Sequence, residues 1–173
     1  RVTKAATWDP TADGTPQQLT LAPPSQGGDW PFDPSTSDGP FLDFVNRLHT
    51  QKHLAYGDSW KRRGEYMILA NIARKVDRLE SGKDTPDETQ TDTAIDLMVY
   101  LAKYLCWLRG EEGNPDDVRP VLRDLLGSDG SPSIGGILKG FEKLEAARGP
   151  EFKIALVDDL LVRSYALAVS IWG

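Results

Sequence analysis

Between Gly64 and Leu108 apolar residues recur at helical spacing on both sides of one short polar break, and this paired pattern constrains the fold more than any other feature of the chain. Ile68, Leu69, Ile72, Val76 and Leu79 fall on one side of a helix predicted from about Gly64 or Glu65 to Leu79 or Glu80. Ile95, Met98, Ala102, Leu105 and Leu108 do the same for a helix predicted from about Asp87 to Leu108. The connector between them, Gly82-Lys83-Asp84-Thr85-Pro86, has the length that joins antiparallel neighbours. Such a hairpin buries its apolar sides and brings two polar stripes together.

The polar stripes carry the chemistry. Helical residues four apart advance about 400°, so Glu88, Asp92 and Asp96 drift only slightly around the axis and share one stripe. Like charges at that spacing repel by about a few tenths of a kcal/mol each. A divalent cation reverses the sign of that cost, because magnesium prefers oxygen ligands, often carboxylates together with substrate phosphates. On the preceding helix Asn71, Lys75 and Arg78 form a cationic ridge that faces the acidic stripe across the hairpin. Two readings fit the spacing: a metal and phosphate site, or two solvated faces joined by surface salt bridges of little energetic weight.

Around the hairpin the chain reads as helix and arm. Residues 1–39 hold Pro10, Pro16, Pro23, Pro24, Pro31 and Pro34 among Gly, Ser, Thr and Asp, which predicts an extended amino-terminal arm. Trp8, Trp30 and Phe32 give that arm rings with which to lie against the domain or a neighbouring subunit; a plain linker is the other reading. A first helix starts after Gly39-Pro40, with Phe41, Phe44, Val45 and Leu48 on one side, and runs toward Ala55. Tyr56-Gly57-Asp58-Ser59-Trp60 interrupts it, with Trp60 a core ring or the wall of a pocket. After Gly110 to Pro115 come a short helix through Val118, Val121, Leu122 and Leu125, a helix from Ile134 to Ala147, and a long one from Glu151 to Trp172. Phe152, Leu156, Val157, Leu160, Leu161 and Leu167 supply the core of the last helix, while Tyr165, Val169 and Trp172 extend an apolar surface toward a partner subunit. Strand-like alternation is confined to Gln18-Leu19-Thr20-Leu21. The expected fold is all-α: a helical bundle around an antiparallel helical core, with residues 1–39 as arm and 40–173 as a single domain whose carboxyl-terminal helices occupy 115–173.

Composition narrows the function classes. A chain of 173 residues, 39% hydrophobic and 27% charged, suits one globular domain. Its net charge of −6 disfavours a nonspecific grip on nucleic acid or on an anionic membrane, so phosphate chemistry has to be local and metal-assisted. No apolar run approaches the length needed to span a bilayer, and the amino end lacks the order of a signal peptide. The single cysteine, Cys106, lies in an apolar run and reads as a buried, inert thiol compatible with a reducing compartment. His49 and His53 stand four apart without a third ligand at suitable spacing, which favours a solvated or hydrogen-bonded pair over zinc. Gly135-Gly136 follows no strand and lacks the Gly-Lys-Ser/Thr ending of a phosphate loop, so it reads as a softened helix start. Ser59 has no evident His and Asp partners.

Tyr56-Gly57-Asp58-Ser59-Trp60, Lys75 with Arg78-Leu79, and Glu88-x-x-x-Asp92-Thr93-x-x-Asp96-Leu97 with Tyr100, in that order and spacing, resemble the nucleotide modification associated domain family. That family is similar to the all-α, MazG-like nucleoside triphosphate pyrophosphohydrolases, and the resemblance covers about residues 42–108. It implies a magnesium-dependent enzyme, with manganese as a substitute ion, that cleaves a (deoxy)nucleoside triphosphate into monophosphate and pyrophosphate in a bacterial or phage-infected cytoplasm. Under it Glu88, Asp92 and Asp96 are metal ligands or orient the attacking water. Lys75 and Arg78 hold phosphate oxygens with Asn71 beside them, and Tyr56, Asp58 and Trp60 line the nucleoside end. In place of the paired glutamates of the MazG-like pattern this chain offers Glu65, nearly three helical turns before Lys75, or a carboxylate borrowed from Asp77 or Glu80. The family's habit adds a homo-oligomer, most simply a dimer. The alternative from a different class is a non-catalytic nucleotide-binding or assembly subunit on the same helical fold.

Overall fold

The computed structural model describes residues 37–56, 62–86, 88–110 and 118–173, without the side chains of His53, Leu54 and Tyr56. Six helices account for it: α1 (Pro40–Tyr56), α2 (Gly64–Ser81), α3 (Gln90–Arg109), α4 (Arg119–Arg123), α5 (Ile134–Ala146) and α6 (Pro150–Trp172). The described residues contain no strand, so the chain is all-α as expected. Residues 1–36 of the expected arm, the Gln18–Leu21 segment among them, lie outside the described residues. None of the described helices is long and apolar enough to cross a membrane.

The chain divides into two units, Arg1–Arg62 and Arg63–Gly173. In the first, α1 buries Phe41, Leu42, Val45 and Leu48, a stripe at helical spacing that also takes in Asn46 and His49. Its start is fastened by Asp43, whose carboxylate accepts from the Ser37 hydroxyl and the Asp38 amide.

In the second unit α2 packs on α3, α3 on α6, α6 on α5 and α5 back on α2, a closed ring of four helices. The carboxyl-terminal helices, expected as additions to the hairpin, thus complete the core, and α6 is the most extensive partner of α3. The reason lies in α3 itself. Ala94, Ile95, Leu97, Met98, Leu101, Ala102, Leu105 and Cys106 are all buried, so at about 100° per residue its apolar surface spans about half of the helix, a face too wide for one hairpin partner to cover. Cys106 is buried, as expected, and takes part in no disulfide.

On α6 Lys153, Val157, Leu160 and Ser164 form the inward stripe at i, i+4, i+7 and i+11. Phe152 stands about 100° away from that stripe and is exposed, which corrects its expected place in the core. Val169 and Trp172, expected on an apolar surface, are exposed. Side chains of α6 fill the space over the α5 glycines: a Cβ at Gly140 would lie 2.6 Å from Leu160 Cδ2, and one at Gly136 would lie 2.5 Å from an Arg163 guanidinium nitrogen. Ser133 caps α5 by accepting from the Gly136 amide, so the glycine pair serves a helix start and a tight crossing.

Candidate functional site

The connector between α2 and α3 is a tied structure. Gly82 ends α2 in the left-handed conformation, its amide donating to Arg78 and Leu79 carbonyls. The Gln90 side chain bridges back to the carbonyls of Arg78 and Lys83, and the Gln90 amide, at the start of α3, donates to Asp84 Oδ1 across 2.7 Å. Thr85 and Glu88 exchange backbone hydrogen bonds, and the Thr85 hydroxyl bonds both the amide and the carbonyl of Glu88. These contacts deliver the Glu88 side chain to the α3 amino end, where the helix dipole favours a carboxylate.

Three contacts set the direction of the hairpin. Gln90 meets Arg78, Asp96 meets Lys75 and Tyr104 meets Glu65, so residues ascending α3 meet residues descending α2 and the two helices run antiparallel. The cationic ridge and part of the acidic stripe therefore come together. Lys75 Nζ lies 3.1 Å from Glu88 Oε2 and 3.2 Å from Asp96 Oδ2. Arg78 Nε adds an ion pair to Glu88 Oε2 at 3.4 Å, while its Nη2 donates to the Thr85 hydroxyl at 3.2 Å. The Thr93 hydroxyl donates to the same Glu88 oxygen across 2.7 Å. The side chains of Lys75, Glu88 and Asp96 are about one-sixth to one-fifth exposed, at 16%, 20% and 18%, so water reaches the cluster but does not fill it.

Asp92 does not join them. Its carboxylate accepts from the Thr89 amide and the Thr89 hydroxyl, while the Asp92 amide donates to Thr89 Oγ1: a capping box that closes the amino end of α3. The stripe of three carboxylates presumes a helix already running at Glu88. The helix begins at Gln90 with Thr89 as its cap, which leaves Glu88 outside the turn and commits Asp92 to Thr89. Asn71 is buried one turn from Lys75, and its Oδ1 accepts from Arg74. Tyr56 (as a side chain), Asp58 and Trp60, expected at the nucleoside end, lie outside the described residues, as do Ser59 and the His53 side chain.

Whether this cluster fits magnesium turns on its donor set. Among the described residues no three His, Cys, Asp or Glu groups converge on one point. Glu88 and Asp96 do converge, both on the single positive centre of Lys75 Nζ. Two hard carboxylates meeting at a cationic point match magnesium, which takes one or two carboxylates with the rest of its sphere from water and phosphate. The fit is with Glu88 and Asp96, without Asp92.

Glu65, the suggested substitute carboxylate, is occupied elsewhere. Tyr104, fully buried on α3, donates its hydroxyl to Glu65 Oε2 at 2.6 Å, and Lys153 of α6 reaches the same oxygen at 3.1 Å. This junction joins α2, α3 and α6 and stands about 15 Å along α2 from Lys75 at 1.5 Å per residue. Burial pushes the Glu65 carboxyl up, but the Tyr104 hydrogen bond and Lys153 outweigh it and hold the group below its ordinary value. Burial first, and then the Glu65 carboxylate, push the Tyr104 hydroxyl up, so it stays a donor.

Thr85, Gln90, Tyr104 and Lys153 were not among the residues expected at the site. Thr89-x-x-Asp92 carried a readable signal, the spacing of a capping box. The Tyr104, Glu65 and Lys153 junction had none, since its members come from three helices far apart in sequence. No protein-family model, curated protein or solved structure matches this chain.

Proposed function

We propose that this chain is a magnesium-dependent (deoxy)nucleoside triphosphate pyrophosphohydrolase. The observation that supports the reading is the convergence of Glu88 and Asp96 on one cationic point beside Lys75 and Arg78. Two cations and two carboxylates make that quartet formally neutral, so by itself it offers little attraction to a triphosphate. Magnesium, or manganese in its place, held by Glu88 and Asp96 supplies positive charge for the phosphate oxygens and a more acidic water. Once those carboxylates serve the ion, Lys75 and Arg78 are the side chains left to hold phosphate oxygens. Water attack at the α phosphorus breaks the bond to the bridging oxygen, and pyrophosphate departs with that oxygen and its electron pair. Fixed cations beside the departing group stabilise the charge it gains.

One observation favours the alternative, a nucleotide-binding or assembly subunit without turnover. Val169, Ile171 and Trp172 leave an exposed apolar end on α6, a surface of the kind that marks interfaces. A homodimer through the last helix accommodates both readings. Pyrophosphate release from a panel of nucleotides, with magnesium and with chelator, separates them. The enzyme releases pyrophosphate only with the metal, whereas a binding subunit shifts its melting point with nucleotide and releases none.

A further inference from the structure

Thr93 sits in the first turns of α3 and is 1% exposed, beside the buried Ala94 and Ile95. Valine has the same shape and no polar atom to satisfy. A hydroxyl in such a place costs free energy unless it is hydrogen-bonded. Its oxygen lies 2.7 Å from Glu88 Oε2 and 3.0 Å from the Thr89 carbonyl oxygen. One hydroxyl proton serves one acceptor well, and the shorter, charge-assisted bond goes to the carboxylate.

Glu88 precedes the helix, and its long side chain has no direction of its own. Lys75 at 3.1 Å, Arg78 at 3.4 Å and Thr93 all meet Oε2, while Oε1 has Lys75 at 3.3 Å. Lys75 and Arg78 are the groups a bound phosphate would draw on, so they are poor fixed supports for Glu88. Thr93 is different. It carries no charge, its rotamer is held by burial within α3, and it grips one oxygen while leaving the other turned to Lys75.

We propose that Thr93 is a positioning residue: its hydroxyl sets the direction of the Glu88 carboxylate, and through it the affinity of the α2–α3 cluster for a divalent cation. The inference rests on the metal site of the reading above. Groups that orient a metal ligand without touching the metal change affinity by about ten- to a hundredfold when removed.

The test is a calorimetric titration of magnesium ion alone into the full chain, as wild type, Thr93→Val and Thr93→Ser, each checked for folding by its melting curve without metal. Wild type is expected to bind, Thr93→Val to bind about tenfold or more weakly, and Thr93→Ser, which restores the donor, to stay within about threefold of wild type. A merely structural threonine would not give that rescue pattern in metal affinity. Thr93→Ala, which cannot crowd the turn, takes the place of Thr93→Val should the latter not fold. Equal affinity of wild type and the hydroxyl-less variant overturns the role of Thr93 and leaves the metal site standing. A wild type that binds no magnesium overturns the metal site and the role of Thr93 together, before any variant is compared.

Discussion

The Tyr104 hydroxyl donates to Glu65 Oε2 across 2.6 Å, and through this bond α3 is fastened to α2 at the end remote from Lys75. Lys153 brings α6 to the same oxygen. A buried phenol bonded to a carboxylate is a strong hydrogen bond, and it is expensive to leave half-made because the partner remains in a drier place than water.

Tyr104→Phe removes the donor and keeps the ring. It is expected to cost about 1–2 kcal/mol, since bonds to charged groups lie at the upper end of the usual range. The pH dependence follows from the sign of the Glu65 shift. Its carboxyl is held below the ordinary value of 4.5, so the unfolded chain binds the proton more readily. The contribution is therefore fully present above that value and is lost as pH falls through the folded one. Denaturant melts across the acid range should show the gap between wild type and Tyr104→Phe widest near neutrality and narrowing in acid.

Thr89→Ala removes the cap of α3 and should lower stability by about 1 kcal/mol, or about 2–4 °C in melting temperature for a protein of this size. Asp92→Asn, at the other arm of the capping box, should cost less, about 0.3–1 kcal/mol from lost charge near the helix amino end. A thermal melt of each variant, repeated with magnesium, checks both. Neither variant should alter the shift that magnesium produces.

The hairpin was legible from periodicity alone, because Ile68, Ile72, Val76 and Leu79 on one helix and Ile95, Met98 and Ala102 on the other keep strict helical spacing. The pairing of Lys75 with Glu88 and Asp96 was legible too, since a short connector leaves polar stripes little choice of partner. Asp92 misled because periodicity locates a helix but not its first residue. A shift of three residues in the start turns an apparent metal ligand into a cap. Phe152 misled for a related reason: hydrophobicity says that a ring prefers burial, but the inward stripe of α6 is headed by Lys153. Closure of the ring by α6 on α3 was hidden because nothing in the sequence of one helix names its partner.

Lys75→Met leaves Glu88 and Asp96 facing each other without their shared cation. With both carboxylates about four-fifths covered, at 20% and 18% exposed, the loss should be about 1–3 kcal/mol, below the cost of breaking a fully buried pair. Magnesium should return part of that loss, so the metal-induced rise in melting temperature should be larger in the variant than in wild type. Equal shifts would mean that the two carboxylates do not hold the ion.

Gly140→Ala tests the α5–α6 crossing. Its Cβ meets Leu160 Cδ2 at 2.6 Å, and Leu160 is itself packed into the core at 1% exposure. The expected penalty is about 1–3 kcal/mol from overpacking, read as a lower denaturation midpoint at an unchanged slope.

Glu88 and Asp96, and not Asp92, are proposed to form the working centre with Lys75. Pyrophosphate release from a nucleoside triphosphate panel, measured with magnesium for wild type, Asp96→Asn and Asp92→Asn in parallel, addresses this proposal most directly. Release by wild type, a loss of about a hundredfold or more in Asp96→Asn, and activity within about twofold of wild type in Asp92→Asn are expected. No release by wild type with any nucleotide, or an equal loss in the two variants, would contradict the proposal.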